Sequence, residues 1–120
     1  MEQIKLFDSE LRLMEIVWSK CPLSAKEISL IAAEEIGWNK NTTYTVLKKL
    51  VEKNAVKRID PNFICEPLIT RERVQLEETR KLIDKLYDGS LKTFFASFLK
   101  REKLSDEEIE ELKKIIDEKL

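Results

Sequence analysis

The sequence has no histidine, two cysteines, two glycines and three prolines in 120 residues, and each shortage removes a class of chemistry. Without histidine the commonest general base is missing, and with it every Ser-His or Cys-His nucleophile arrangement. Cys21 and Cys65 stand 44 positions apart with no CxxC pair, so a zinc site of ordinary spacing is not expected, and neither a metal nor a cofactor is assigned. Gly37 and Gly89 cannot build a glycine-rich phosphate loop. So little turn chemistry favours a mainly helical protein. No apolar run approaches the roughly 20 residues a membrane span needs, and nothing resembles a signal peptide, so the expected location is cytoplasmic, without direct membrane insertion. Carboxylates are plentiful, but they fall on charged helix faces where solvation is their ordinary role. Together these absences argue against an enzyme.

What remains is enough for a folded core: 42% of residues are hydrophobic, 38% are charged, and the net charge is only −1. The length fits one domain, or a small domain with a helical appendage. A first helix is predicted from about Asp8, its expected cap, to Lys20, with Leu11, Met14, Val17 and Trp18 as an apolar stripe widened by Leu13 and Ile16. Trp18 belongs to that stripe and reads as core. Cys21-Pro22 stops the helix, because the proline ring removes a donor and clashes with the preceding turn. Ser24 to Glu27 spells a capping box for a second helix that turns Ile28, Ile31, Ala32 and Ile36 inward and ends at Gly37.

The most informative stretch is Trp38 to Lys53, WNKNTTYTVLKKLVEK. Asn39 is suited to cap a third helix, in which Val46, Leu47, Leu50 and Val51 share one face. The opposite face offers Asn41, Tyr44, Thr45 and Lys48, beside Lys40, Thr42 and Lys49. Asn can bond adenine through two parallel contacts, Thr offers a hydroxyl and a methyl, and Lys reaches guanine or phosphate. From Trp38 to Arg58 there are six basic residues and one acid, a local charge of +5 on a near-neutral chain. Such a stripe suits phosphate positioning. Two short helices, a tight turn and a helix with a base-compatible face follow the order of a helix-turn-helix.

Asn54 fits a left-handed helix end. Ala55 to Ile59 and Phe63 to Leu68 then read as two strands around an Asp60-Pro61-Asn62 turn, forming a wing that carries Lys57 and Arg58 to the DNA backbone. A long helix is predicted from Thr70 to Asp88, broken by Gly89-Ser90. It is followed by a short helix from Leu91 to Lys100 and a last one opened by the capping box Ser105 to Glu108. Leu82, Leu86, Tyr87, Leu91, Phe94, Phe95, Phe98, Leu99, Ile109, Leu112 and Ile116 give these helices more apolar surface than a soluble monomer usually exposes. Pairing with a second copy is the simplest cover, and folding back on the wing domain is the alternative. The expected division is residues 1–70 for DNA binding and 71–120 for dimerisation. A two-fold homodimer would then meet a palindromic operator in double-stranded DNA.

The stretches SELRLMEIVW (9–18), WNKNTTYTVLKKL (38–50), AVKRIDPNFICEPL (55–68) and LYDGSLKTFFASFL with LSDEEIEELKKII (86–116) resemble the penicillinase-repressor family, the BlaI/MecI group of bacterial winged-helix repressors. The resemblance runs in order along nearly the whole chain. It implies a winged helix-turn-helix domain followed by a helical dimerisation region, and repression of β-lactamase or related resistance genes from dyad operators. In that family, induction comes from a membrane sensor-transducer protease that cuts the repressor between an Asn and a Phe. The matching bond is Ser97 to Phe98, where the Phe fits and the Asn does not. Tyr44 stands where the family commonly has Gln, and Asn54 where it has Gly. No cysteine follows Cys65, so the cysteine cluster of the copper-responsive branch is absent. A second reading, a winged-helix module for protein assembly without DNA binding, would call for an acidic or apolar third helix, against the +5 charge found there.

Overall fold

The computed structural model describes residues 4–120, in the order α1 (Asp8–Lys20), β1 (Leu23–Ser24), α2 (Ala25–Glu35), α3 (Lys40–Glu52), β2 (Val56–Ile59), β3 (Ile64–Pro67), α4 (Arg71–Leu86), α5 (Leu91–Arg101) and α6 (Asp106–Lys119). The chain divides into two compact units, the first ending at Glu77 and the second running from Glu78 to Leu120.

Local chemistry sets most helix ends in the first unit. The Ser24 hydroxyl accepts the Glu27 amide at 3.1 Å while Glu27 Oε1 accepts the Ser24 amide at 3.2 Å, so two free donors are satisfied reciprocally. At α1 the cap is Phe7 and not Asp8, which lies inside the first turn. Glu10 explains the shift, because its Oε1 reaches back to the Phe7 amide at 2.8 Å and closes the helix one residue earlier. Helix α2 stops where Gly37 adopts φ 84°, a left-handed conformation that costs glycine nothing, and its amide bonds Ala32 O at 2.9 Å. Asn54 ends α3 with φ 62°.

The core is made by α1, α2 and α3 with the sheet closing one end. Leu13, Met14, Val17, Ile28, Ala32, Leu47 and Leu50 are buried, joined from the sheet by Val56 and Cys65. Val51, expected inward, is half-buried. Thr43 is fully buried among them, its hydroxyl donating to Asn39 O at 3.3 Å. Trp18 lies half-buried against the core, and its indole N–H donates to Ile69 O at 2.9 Å. The two expected wing strands pair antiparallel with Arg58 opposite Cys65 and Ile59 opposite Ile64. A third strand that patterning did not announce, the two-residue β1, pairs with β3 through Leu23 opposite Cys65, giving the order β1-β3-β2. This is a winged helix-turn-helix.

In the second unit Asp88 (φ 50°) and Gly89 (φ 75°) turn the chain after α4, and the Ser90 hydroxyl accepts the Thr93 amide at 3.1 Å to cap α5. Arg80 braces the turn by donating to Gly89 O at 2.7 Å and to Asp84 Oδ1 at 3.1 Å. The Ser105-Glu108 capping box opens α6 as its sequence predicts. No residue of α5 or α6 is buried.

Candidate nucleic-acid interface

The exposed face of α3 begins at a helix N-terminus capped by Asn39. Asn39 Oδ1 accepts the Thr42 amide at 2.8 Å, leaving the amides of Lys40 and Asn41 without an acceptor inside the helix. Unlike α1 and α6, whose first turns carry acids, α3 has none there and starts on Lys40. The positive end of the helix dipole is therefore uncompensated, which costs stability in isolation and favours a bound phosphate.

Along the same face Asn41, Thr42, Thr45, Lys48 and Lys49 are exposed. The Thr45 hydroxyl donates to Asn41 O at 2.8 Å, which fixes its rotamer and leaves the oxygen as an acceptor. Tyr44 departs from the simple outward face read in the sequence. It is half-buried, its ring meets that of Phe63 edge-on at 6.2 Å, and Lys40 Nζ lies 5.7 Å from its centroid. Its hydroxyl has no hydrogen-bond partner among the described residues.

The basic stripe is narrower than the composition suggested. Lys53 is drawn to α1 instead: its Nζ bonds Glu10 Oε1 at 2.6 Å and Lys5 O at 2.8 Å. Arg58 pairs with Asp60 at 3.1 Å and stacks 3.9 Å from the Phe63 centroid, so its charge is partly spent within the wing. Lys40, Lys48, Lys49 and Lys57 are exposed and form no ion pair among the described residues. Lys57 and Arg58 are neighbours on one strand and point to opposite faces.

Both cysteines are free thiols, Cys65 buried and Cys21 partly exposed. Burial raises Cys21, and burial pushes Cys65 up to about 12. Sequence reasoning missed Thr43 and Phe63. Thr43 was findable, since it lies three and four positions before Val46 and Leu47 on the apolar face. Phe63 was not, because its contacts are made across the wing.

The apolar residues singled out for dimerisation lie on α4, α5 and α6 or in the turn after α4. Leu82, Leu86, Leu91, Phe95, Phe98, Leu99, Ile109 and Ile116 are exposed, and Tyr87, Phe94 and Leu112 half-buried. Phe94 serves an internal role, with its ring 5.2 Å from Tyr87, 5.4 Å from Phe95 and 5.6 Å from Phe98. Leu99, Leu104, Ile109, Leu112 and Ile116 line an open apolar groove of about 320 Å³. Ser97 and Phe98 lie within α5, both exposed. No helix among the described residues is long and apolar enough to cross a membrane.

A family model described as Penicillinase repressor matches residues 6–118. The chain is similar to a penicillinase repressor of Staphylococcus aureus, 27% identical over 119 residues that cover 98% of this chain and 94% of that protein. It is likewise 26% identical over 116 residues to a penicillinase repressor of Bacillus licheniformis, covering 95% and 91%. With the methicillin resistance regulatory protein MecI of Staphylococcus aureus (strain N315) it shares 27% identity over 117 residues, 96% of this chain and 95% of that one.

Proposed function

The chain belongs to the penicillinase-repressor family, a family of transcriptional repressors of the β-lactam resistance type, and we propose that it represses as a homodimer on a palindromic operator. The α3 face supports this reading most directly: an anion-ready helix start with no acid in its first turn, followed by exposed Asn41, Thr45 and Lys48. In the proposed complex α3 lies in the major groove, with Asn41, Tyr44 and Thr45 at base edges and Lys40, Thr42, Lys48, Lys49 and Lys57 at phosphates. Arg58 makes a weaker contribution because Asp60 already offsets it. Residues 1–70 act as the DNA-binding domain and residues 71–120 as the dimerisation domain.

Two copies pairing through α4, α5 and α6 would cover the apolar side chains that the single chain leaves in water. Linking two half-site contacts makes the second effectively intramolecular, so operator affinity depends on the dimer. Release follows from cutting between Ser97 and Phe98 by a membrane sensor-transducer protease, which separates Phe98, Leu99 and α6 from the rest. That bond lies inside α5, so the helix must open locally before a protease can accept it in extended form. The genes controlled are β-lactam resistance genes.

Selection of bound duplexes from a randomised pool at near-physiological salt tests the reading. The expected product is an inverted repeat with half-sites one helical turn apart, about 10 base pairs, or a multiple of it. A folded protein that enriches no sequence overturns it in favour of an assembly module. An enriched single half-site removes the dimer.

A further inference from the structure

We propose that Phe63, in the wing, is a positioning residue for base recognition: it holds Tyr44 on α3 and so determines which bases the helix accepts. The inference rests on the DNA-binding reading given above. In the wing turn the backbone has φ 72° at Asn62 and φ 49° at Phe63. A bulky aromatic in the left-handed region is sterically disfavoured and persists only where its surroundings over-determine it.

Those surroundings are specific. The Phe63 carbonyl accepts the amide of Ala25, the first residue of α2, at 2.9 Å, and the Cys65 thiol at 3.6 Å. One side of the ring takes the Arg58 guanidinium, whose carbon lies 3.9 Å from the centroid and whose Nε is held by Asp60 at 3.1 Å. The ring also meets that of Tyr44 at an interplanar angle of 89°. Lys40 Nζ, 5.7 Å from the Tyr44 centroid, continues the series. Arg58, Phe63, Tyr44 and Lys40 thus form one run of cation and ring contacts that crosses from the wing to the reading helix.

This run changes what Tyr44 can do. A tyrosine on an open helix face samples several rotamers, and its hydroxyl averages over the directions they give. Edge-on contact with Phe63 confines the ring, while the hydroxyl keeps an unspent donor and acceptor. A confined hydroxyl discriminates between bases because the wrong base leaves it unpaired or clashing. The wing therefore contributes to sequence choice without touching a base edge.

The test compares operator selection by the full-length wild type, Phe63→Ala, Phe63→Leu and Phe63→Tyr, with binding of each to a non-operator duplex across a salt series. Circular dichroism and thermal melting verify folding. Phe63→Ala is expected to lose about tenfold in discrimination at the base pairs that Tyr44→Phe also perturbs. Its non-specific affinity should stay within about twofold of wild type, with an unchanged salt slope. Phe63→Tyr, which keeps the ring, should retain the wild-type preference. Should Phe63→Ala fail to fold, Phe63→Leu carries the test, since it keeps apolar volume and removes the flat ring edge. Wild-type preference in a folded Ala or Leu variant overturns this inference alone, as does an equal loss of specific and non-specific binding. A wild type that selects no sequence overturns the DNA-binding reading and this inference with it.

Discussion

Lys53 Nζ lies 2.6 Å from Glu10 Oε1, tying the C-cap of α3 to the first turn of α1 through a carboxylate that is 1% exposed. The two partners are not equivalent, because the lysine side chain keeps 29% of its exposure. Lys53→Met leaves the buried carboxylate with the Phe7 amide as its remaining donor, and should cost about 3 kcal/mol, the low end for breaking a buried pair. Glu10→Gln keeps an acceptor and frees a lysine that can reach water, and should cost about 1 kcal/mol. Urea unfolding of both variants measures the asymmetry. Equal losses would mean that the pair behaves as an exposed one.

Much of this architecture was legible because it is local. Ser24, Asn39 and Ser105 each cap the helix expected of them, with the acceptor and its amide three residues apart. The 3.6-residue period found Leu47 and Leu50, and Asn54 ended α3 as its side chain allows. What escaped was non-local. Nothing near Lys53 announces Glu10, 43 residues earlier, and charge counting placed that lysine in the basic stripe. Tyr44 sits at an outward helical position, and its edge-on contact with Phe63 is made by the wing, 19 residues further on. A two-residue strand such as β1 has too few side chains to show alternation.

The two basic wing residues should separate in a salt titration of DNA binding. Lys57 is exposed and forms no ion pair among the described residues, so Lys57→Ala should flatten the log-log salt slope by about 0.9, one phosphate contact, and weaken all sequences alike. Arg58 is paired with Asp60 and stacked on Phe63. Arg58→Ala should change the slope by less and alter base preference by loosening the ring. Equal slope changes for the two would place Arg58 on a phosphate as well.

Asn41→Ala should cost about 1 to 3 kcal/mol on the selected operator and leave non-operator binding near wild type, as loss of a two-contact base pairing requires. Competition between operator and non-operator duplexes reads the ratio. An equal loss on both would make Asn41 a phosphate contact.

Burial raises the Cys65 thiol from 9.0 to about 12, so folding favours its protonated form. The contribution to stability is fully present below pH 9, the unfolded value, and is lost as pH rises towards 12, because the unfolded chain gives up its proton first. The slope should approach about 1.4 kcal/mol per pH unit in that window. Cys65→Val removes this component while keeping a similar volume, so the difference between wild-type and variant urea midpoints should narrow from pH 9 to pH 11. A constant difference would show that the thiol titrates alike in both states.

The tail separates side chains that hold one copy together from those free to meet another. Ile116 is 63% exposed, so Ile116→Asp should cost the single chain little, within about 0.5 kcal/mol. Across a paired interface the same change buries a charge without a partner, which a dimer does not tolerate. Sedimentation should therefore give a folded monomer, and operator affinity should fall by roughly 100-fold to 10,000-fold as the linkage between half-sites is lost. Phe94 differs, since its ring packs against Tyr87, Phe95 and Phe98 within one chain. Phe94→Ala should lower helicity and melting temperature together with any loss of pairing. An Ile116→Asp variant that stays dimeric would move the interface off that face of α6, whereas a Phe94→Ala variant with unchanged helicity would make Phe94 an interface residue after all.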